Sequence, residues 1–157
     1  MKLNIGLTLE QRAGVVDILH TLLADEYVLY TKTRNYHWNV TGMHFNDLHK
    51  FFESQYKELD NIIDEVAERV RALGRKAMAT LSEFSEKTRL SERPSEHPNA
   101  QTMLANLLAD HELIITNLRK DIQTCNDFND VGTSDFLTGL MEQHEKMAWM
   151  LRAFLEE

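Results

Sequence analysis

Along the first forty residues the apolar positions Leu19, Leu22, Leu23, Tyr27, Leu29 and Tyr30 recur three and four apart. That spacing lines one face of an α-helix. Thr8, followed by Leu9-Glu10-Gln11, forms a T-x-x-Q capping box, so a first helix is predicted from just after Thr8 to about Asn39. A second, with Phe51, Phe52, Leu59, Ile62, Ile63 and Val66 on its apolar side, begins between Gly42 and Asn46 and ends at Leu73. Gly74 is a natural left-handed stop, and Arg69 and Arg71 suit the negative end of the helix dipole. From Arg75 to Pro98 the pattern is broken by Ser, Thr and two prolines, a stretch too long for a simple bundle connection unless it holds structure of its own. A short helix is predicted around Leu81-Ser82-Glu83-Phe84. A third long helix follows Asn99 to about Cys125, and a fourth, capped by Thr133 or Ser134, runs almost to the carboxyl end. The expected fold is all-α, a four-helix bundle with a short extra helix between helices two and three, as a single domain over residues 1–157.

Composition narrows the picture. A 157-residue chain that is 43% hydrophobic can bury a sizeable core. No run of 18 or more apolar residues and no charged-then-apolar leader is visible, so neither a membrane span nor a secretory signal is expected. Cys125 stands alone, which suits a reducing cytoplasm and a buried small hydrophobe better than a redox role. Against 17 Lys and Arg stand 25 Asp and Glu, a net charge of −8, opposite to what phosphate neutralisation needs. The segment before the first helix carries only Lys2, and the chain ends Leu155-Glu156-Glu157 without a basic tail.

The chemistry concentrates between His37 and Glu68. Residues four apart share a helix face, so His49 and Glu53 form one ligand pair and Asp64 and Glu68 another. At about 100° per residue, His49, Glu53, Asp60 and Asp64 fall within roughly 60°, with Glu68 about 40° further round. At about 1.5 Å per residue, however, His49 and Asp64 lie roughly 22 Å apart, so one straight helix cannot close a site. A second copy packed antiparallel across a two-fold axis near Glu58 would bring His49 and Glu53 of one subunit to Asp64 and Glu68 of the other, twice per dimer. His37 would join from the neighbouring helix. Imidazole and carboxylate donors suit iron better than a thiolate-bound structural metal. Each residue alone reads as an ordinary polar position on an amphipathic helix; as a set, beside an apolar surface, the charges need partners.

These residues carry a resemblance. His37-Trp38-Asn39-Val40, Gly42, Leu48-His49 and Glu53, then Ile63-Asp64, Val66-Ala67-Glu68-Arg69, Leu73-Gly74 and Ala77, are similar to the two signatures of the Dps proteins, or miniferritins. The resemblance implies a ferritin-like four-helix subunit, a hollow dodecamer built from two-fold dimers, and ferroxidase centres across the dimer interface. It implies His37, His49, Glu53, Asp64 and Glu68 as iron ligands, although the family often has Asp where this chain has Glu53. Two irons per site are expected, with zinc as a competitor and hydrogen peroxide or dioxygen as oxidant. Other ferritin-like proteins build their site inside one bundle with Glu-x-x-His motifs. This chain has none: His111-Glu112 and His144-Glu145 are sequence neighbours that point apart on a helix.

Further candidates follow. Trp38, next to a proposed ligand, reads equally as a quencher of stray oxidant and as a packing residue; Trp149 reads as core or subunit interface. His20, His44 and His97 read as structural or surface groups. Asp121, Asp127, Asp130 and Asp135 gather near the junction of helices three and four, where the family has an acidic three-fold pore; Asp130 and Asp135 are the first choices. Asp60 is a weaker candidate for seeding mineral. The expected function is Fe(II) oxidation and storage as ferric oxide in the cytoplasm, with nucleoid condensation as the alternative.

Overall fold

The computed structural model describes residues 3–156, so Lys2 and Glu157 lie outside the described residues. Five helices follow in order: α1 (Leu9–Asn39), α2 (Phe45–Ala72), α3 (Leu81–Lys87), α4 (Ala100–Asp127) and α5 (Val131–Ala153). The long ones pair as two hairpins, α1 with α2 and α4 with α5, and α3 lies against α1 within the long crossover between them. The architecture is all-α with the expected extra helix.

Helix ends match the local chemistry that produces them. The Thr8 hydroxyl accepts from Gln11 N–H while the Gln11 side chain accepts from Thr8 N–H, completing the capping box. Gly74 sits at φ +81° just beyond α2, and a Cβ there would meet Leu3 Cδ2 at 2.7 Å. The positive φ is what calls for glycine, since the flexible tip of Leu3 could give way. One boundary differs from expectation. The N-cap of α5 is Asp130, whose carboxylate accepts from Thr133 N–H (2.9 Å) and Thr133 Oγ1 (2.6 Å); Thr133 and Ser134 lie inside the first turn. A carboxylate at the positive end of the helix dipole is favoured over a hydroxyl three or four residues later.

The core runs the length of the bundle through Leu19, Leu22, Leu23, Phe52, Leu59, Ile62, Leu107, Ile114, Leu118 and Leu137, all essentially inaccessible. At about 1.5–3 kcal/mol for each large side chain fully buried, this face dominates stability. Two polar devices are set into it. Asp25 on α1, fully buried, accepts from Thr88 Oγ1 (2.9 Å), Arg89 N (2.6 Å) and Arg89 Nε (2.7 Å), and Arg89 Nη1 also reaches Asp121 on α4 at 3.3 Å. The crossover is thereby clamped to both hairpins. Deeper still, Glu26 of α1, His144 of α5 and His111 of α4 form a line, with Glu26 Oε1 2.8 Å from His144 Nε2 and His144 Nδ1 2.9 Å from His111 Nδ1. All three are fully buried. Glu26 Oε2 and His111 Nε2 find no partner among the described residues.

Candidate metal centre

α1 ends and α2 begins around a short turn in which Gly42 adopts φ +112°. The turn folds the second helix back along the first and sets the last turn of α1 against the first turn of α2. There the His37 and His49 rings stack, centroids 3.8 Å apart and 17° from parallel. Their hydrogen bonds are reciprocal. His37 Nδ1 lies 2.7 Å from the His49 carbonyl, and His49 Nδ1 lies 2.8 Å from the His37 carbonyl. A carbonyl can only accept, so each Nδ1 carries the proton, and in the neutral ring each Nε2 is left with its lone pair free. Fixing the tautomer through a backbone carbonyl is how proteins prepare an imidazole for a metal. The same bonds satisfy a carbonyl that the end of α1 would otherwise leave open.

Glu53 lies one turn after His49 and is half-buried. Its Oε1 is 2.5 Å from Lys57 Nζ. The hydrogen bond and charge of Lys57 hold the Glu53 carboxyl below the usual carboxylate range, and the fields of His37 and His49 add to the lowering. Asp64 and Glu68 are exposed on the continuation of the same helix. Among the described residues no three His, Cys, Asp or Glu side chains of one chain converge as a metal site. The structure thus brings His37 and His49 together, points Glu53 at Lys57, and leaves Asp64 and Glu68 facing outward further along α2.

The remaining candidates divide. Trp38 is 65% exposed, with the Arg34 guanidinium over its ring at 5.2 Å. Trp149 is 61% exposed, so it is not a core residue of the chain. His44 and His97 are exposed, and His20 accepts from Met78 N–H at 3.3 Å, a structural role. Cys125 is buried, and burial, with help from Asp130 and Asp121, pushes its thiol up to about 12. An inert thiol results. Of the four acidic residues near the α4–α5 junction, Asp127 and Asp135 are exposed. Asp130 is buried, committed to capping α5 and to Arg69 at 3.1 Å. It is therefore a structural carboxylate in this chain and not an open one. Asp121 is partly buried against Arg89, and burial raises its pKa.

Two groups of residues escaped sequence reasoning. His111 and His144 each looked isolated, because the residues that give them meaning are on other helices. Tyr56 and Arg34, beside His37, were also missed; Tyr56 lies seven residues after His49, and that spacing on one helix face was the signal available.

Comparison with known proteins agrees with this architecture. The family model of the ferritin-like domain matches residues 16–157. The chain is 49% identical over 156 residues, 99% of its length and 87% of the relative's, to an uncharacterized low temperature-induced protein of Nostoc. It is 39% identical over 143 residues, 91% of its length and 97% of the relative's, to DNA protection during starvation protein 2 of Bacillus anthracis. Its fold superimposes on the Dps protein of Vibrio cholerae with a TM-score of 0.90 at 28% identity, covering 99% of this chain and all of the other. That structure is described as a member of a broad superfamily of ferritin-like diiron-carboxylate proteins. A ferritin-like bundle with paired imidazoles at one end of a carboxylate-bearing helix is the class that fold and site define. Within that class the chain belongs to the Dps family of miniferritins.

Proposed function

We propose that the protein is a ferroxidase and iron store whose dinuclear centres are shared between two subunits. The observation that carries this is the locked His37–His49 pair, with both Nε2 lone pairs free and the remaining acidic donors of α2 out of reach within the chain. A second copy, antiparallel along α2, supplies Asp64 and Glu68 to the open side. Iron enters as substrate. His37 and His49 give neutral nitrogen donors, and Glu53, Asp64 and Glu68 offset the charge of two ferrous ions. With two ions side by side, hydrogen peroxide takes both electrons and two protons from solvent and leaves as two waters; a hollow dodecamer then receives the ferric product. Asp127 and Asp135, the exposed acids of the α4–α5 junction, are the residues we assign to cation entry. Zinc competes for the same donors. No helix of the described residues is long and apolar enough to cross a membrane, and the single buried thiol suits a cytoplasmic setting.

The test is complementation. Alone, His49→Ala and Asp64→Ala chains should each lose ferrous oxidation by peroxide in stopped flow. In a mixed dimer of the two, one site loses both ligands and the other regains all of them, so activity should return. Mixed assemblies no better than their parents would count against a shared centre. DNA condensation, the second reading, draws on the name of the Bacillus anthracis relative and is opposed by the net charge of −8. A low-salt gel shift decides it.

A further inference from the structure

Tyr56 stands edge-on to His37, ring centroids 5.2 Å apart and planes 77° apart. Tyr30 on α1 meets Tyr56 at 6.1 Å in a T-shaped contact, and Tyr27, one turn earlier, meets Tyr30 at 6.0 Å. Tyr27 in turn stacks on Phe84 of α3 at 4.6 Å. All three phenols are half-buried. A line of oxidisable rings therefore leads from a proposed ligand along α1 to the crossover. Trp38, adjacent to that ligand in sequence, is mostly exposed, and no ring of the described residues pairs with it. Electron transfer weakens steeply with distance, so ring contact outranks sequence adjacency.

Arg34 refines the chemistry. Its guanidinium lies over Tyr56 at 4.5 Å and Tyr30 at 5.6 Å, and its Nη1 donates to Tyr30 Oη at 2.7 Å. A cation on the face of an aromatic ring favours the electron-rich neutral ring and opposes positive charge on it. A phenol oxidised here must release its proton together with its electron.

We propose that Tyr56 supplies the second electron when peroxide meets a centre holding one ferrous ion, and that Tyr30 and Tyr27 share the resulting radical. The proposal rests on the ferroxidase reading above. One ferrous ion gives peroxide one electron, breaking the O–O bond to hydroxide and hydroxyl radical. The Tyr56 phenol gives that radical a hydrogen atom, yielding water and a neutral tyrosyl. A later ferrous ion returns an electron, a proton from solvent restores the phenol, and another proton converts the hydroxide to water. The sum is two ferrous ions oxidised and one peroxide reduced to two waters, with no hydroxyl radical released.

The assembled protein, loaded with less than one Fe(II) per centre, is mixed with hydrogen peroxide and freeze-quenched for EPR and Mössbauer spectroscopy. A radical whose hyperfine structure collapses with ring-deuterated tyrosine is expected. It should be lost in Tyr56→Phe, which removes only a hydroxyl, and kept in Trp38→Phe. Spin-trapped hydroxyl adduct should rise in Tyr56→Phe alone. A signal that follows deuterated tryptophan, or that survives unchanged in Tyr56→Phe, overturns the proposal. Oxidised iron without any protein radical overturns it while sparing the ferroxidase reading; iron left ferrous at full loading overturns both.

Discussion

Acidification should unlock the bundle through His111. This imidazole is fully buried, with Nδ1 on His144 and Nε2 without a partner. Burial, then the neighbouring charge of His144, holds its pKa well below the ordinary 6.5. The unfolded chain titrates at that ordinary value and the folded one does not follow. The contribution of His111 is therefore complete above pH 6.5 and is lost as pH falls from there toward the depressed folded value. Within that window the unfolded chain holds one extra proton, and stability drops by about 1.4 kcal/mol per pH unit. Between pH 7 and pH 5 the loss from this one group is therefore bounded at about 2 kcal/mol, a sizeable part of the roughly 5–15 kcal/mol that holds a domain folded. Urea midpoints at fixed subunit concentration, taken at both pH values for the wild type and for His111→Gln, isolate it. The variant keeps a hydrogen-bonding group but cannot titrate, so its profile should be flatter by that amount. Equal acid losses in the two proteins would refute the reasoning.

Three other outcomes are expected. Arg89→Ala leaves the buried Asp25 carboxylate without its cation and should cost about 3–5 kcal/mol, read as a fall in the denaturant midpoint. Asp130→Ala removes the α5 cap and the Arg69 pair; a loss of about 1–2 kcal/mol is expected from the cap alone, with faster amide exchange in the first turn of α5. Gly74→Ala forces a side chain into a left-handed residue facing Leu3, costing at least about 1–2 kcal/mol by thermal melting, whereas Gly139→Ala, with open space around it inside α5, should be neutral or stabilising.

Most of the fold could be read from the chain because its helix signals are local. The Thr8 capping box, the Gly74 stop and the Asn99 cap each lie within a few residues of the boundary they set. The α5 start was misplaced because two hydroxyls beside one carboxylate offer competing caps, and the tertiary bond to Arg69 helps decide between them. His37 and His49 could be singled out as candidates from the chain, but not their mutual tautomer lock, which depends on carbonyls brought together by the Gly42 turn. The Asp25–Arg89 clamp and the Glu26–His144–His111 line join residues far apart in sequence, and nothing periodic marks them.

All five proposed ligands sit on the first hairpin, while the acid-sensitive His111 and the α5 cap sit on the second. The two halves can therefore diverge at different rates. Substitutions on α4 and α5 can retune robustness while the five proposed ligands on α1 and α2 stay untouched, so one subunit design can serve relatives living under quite different stresses.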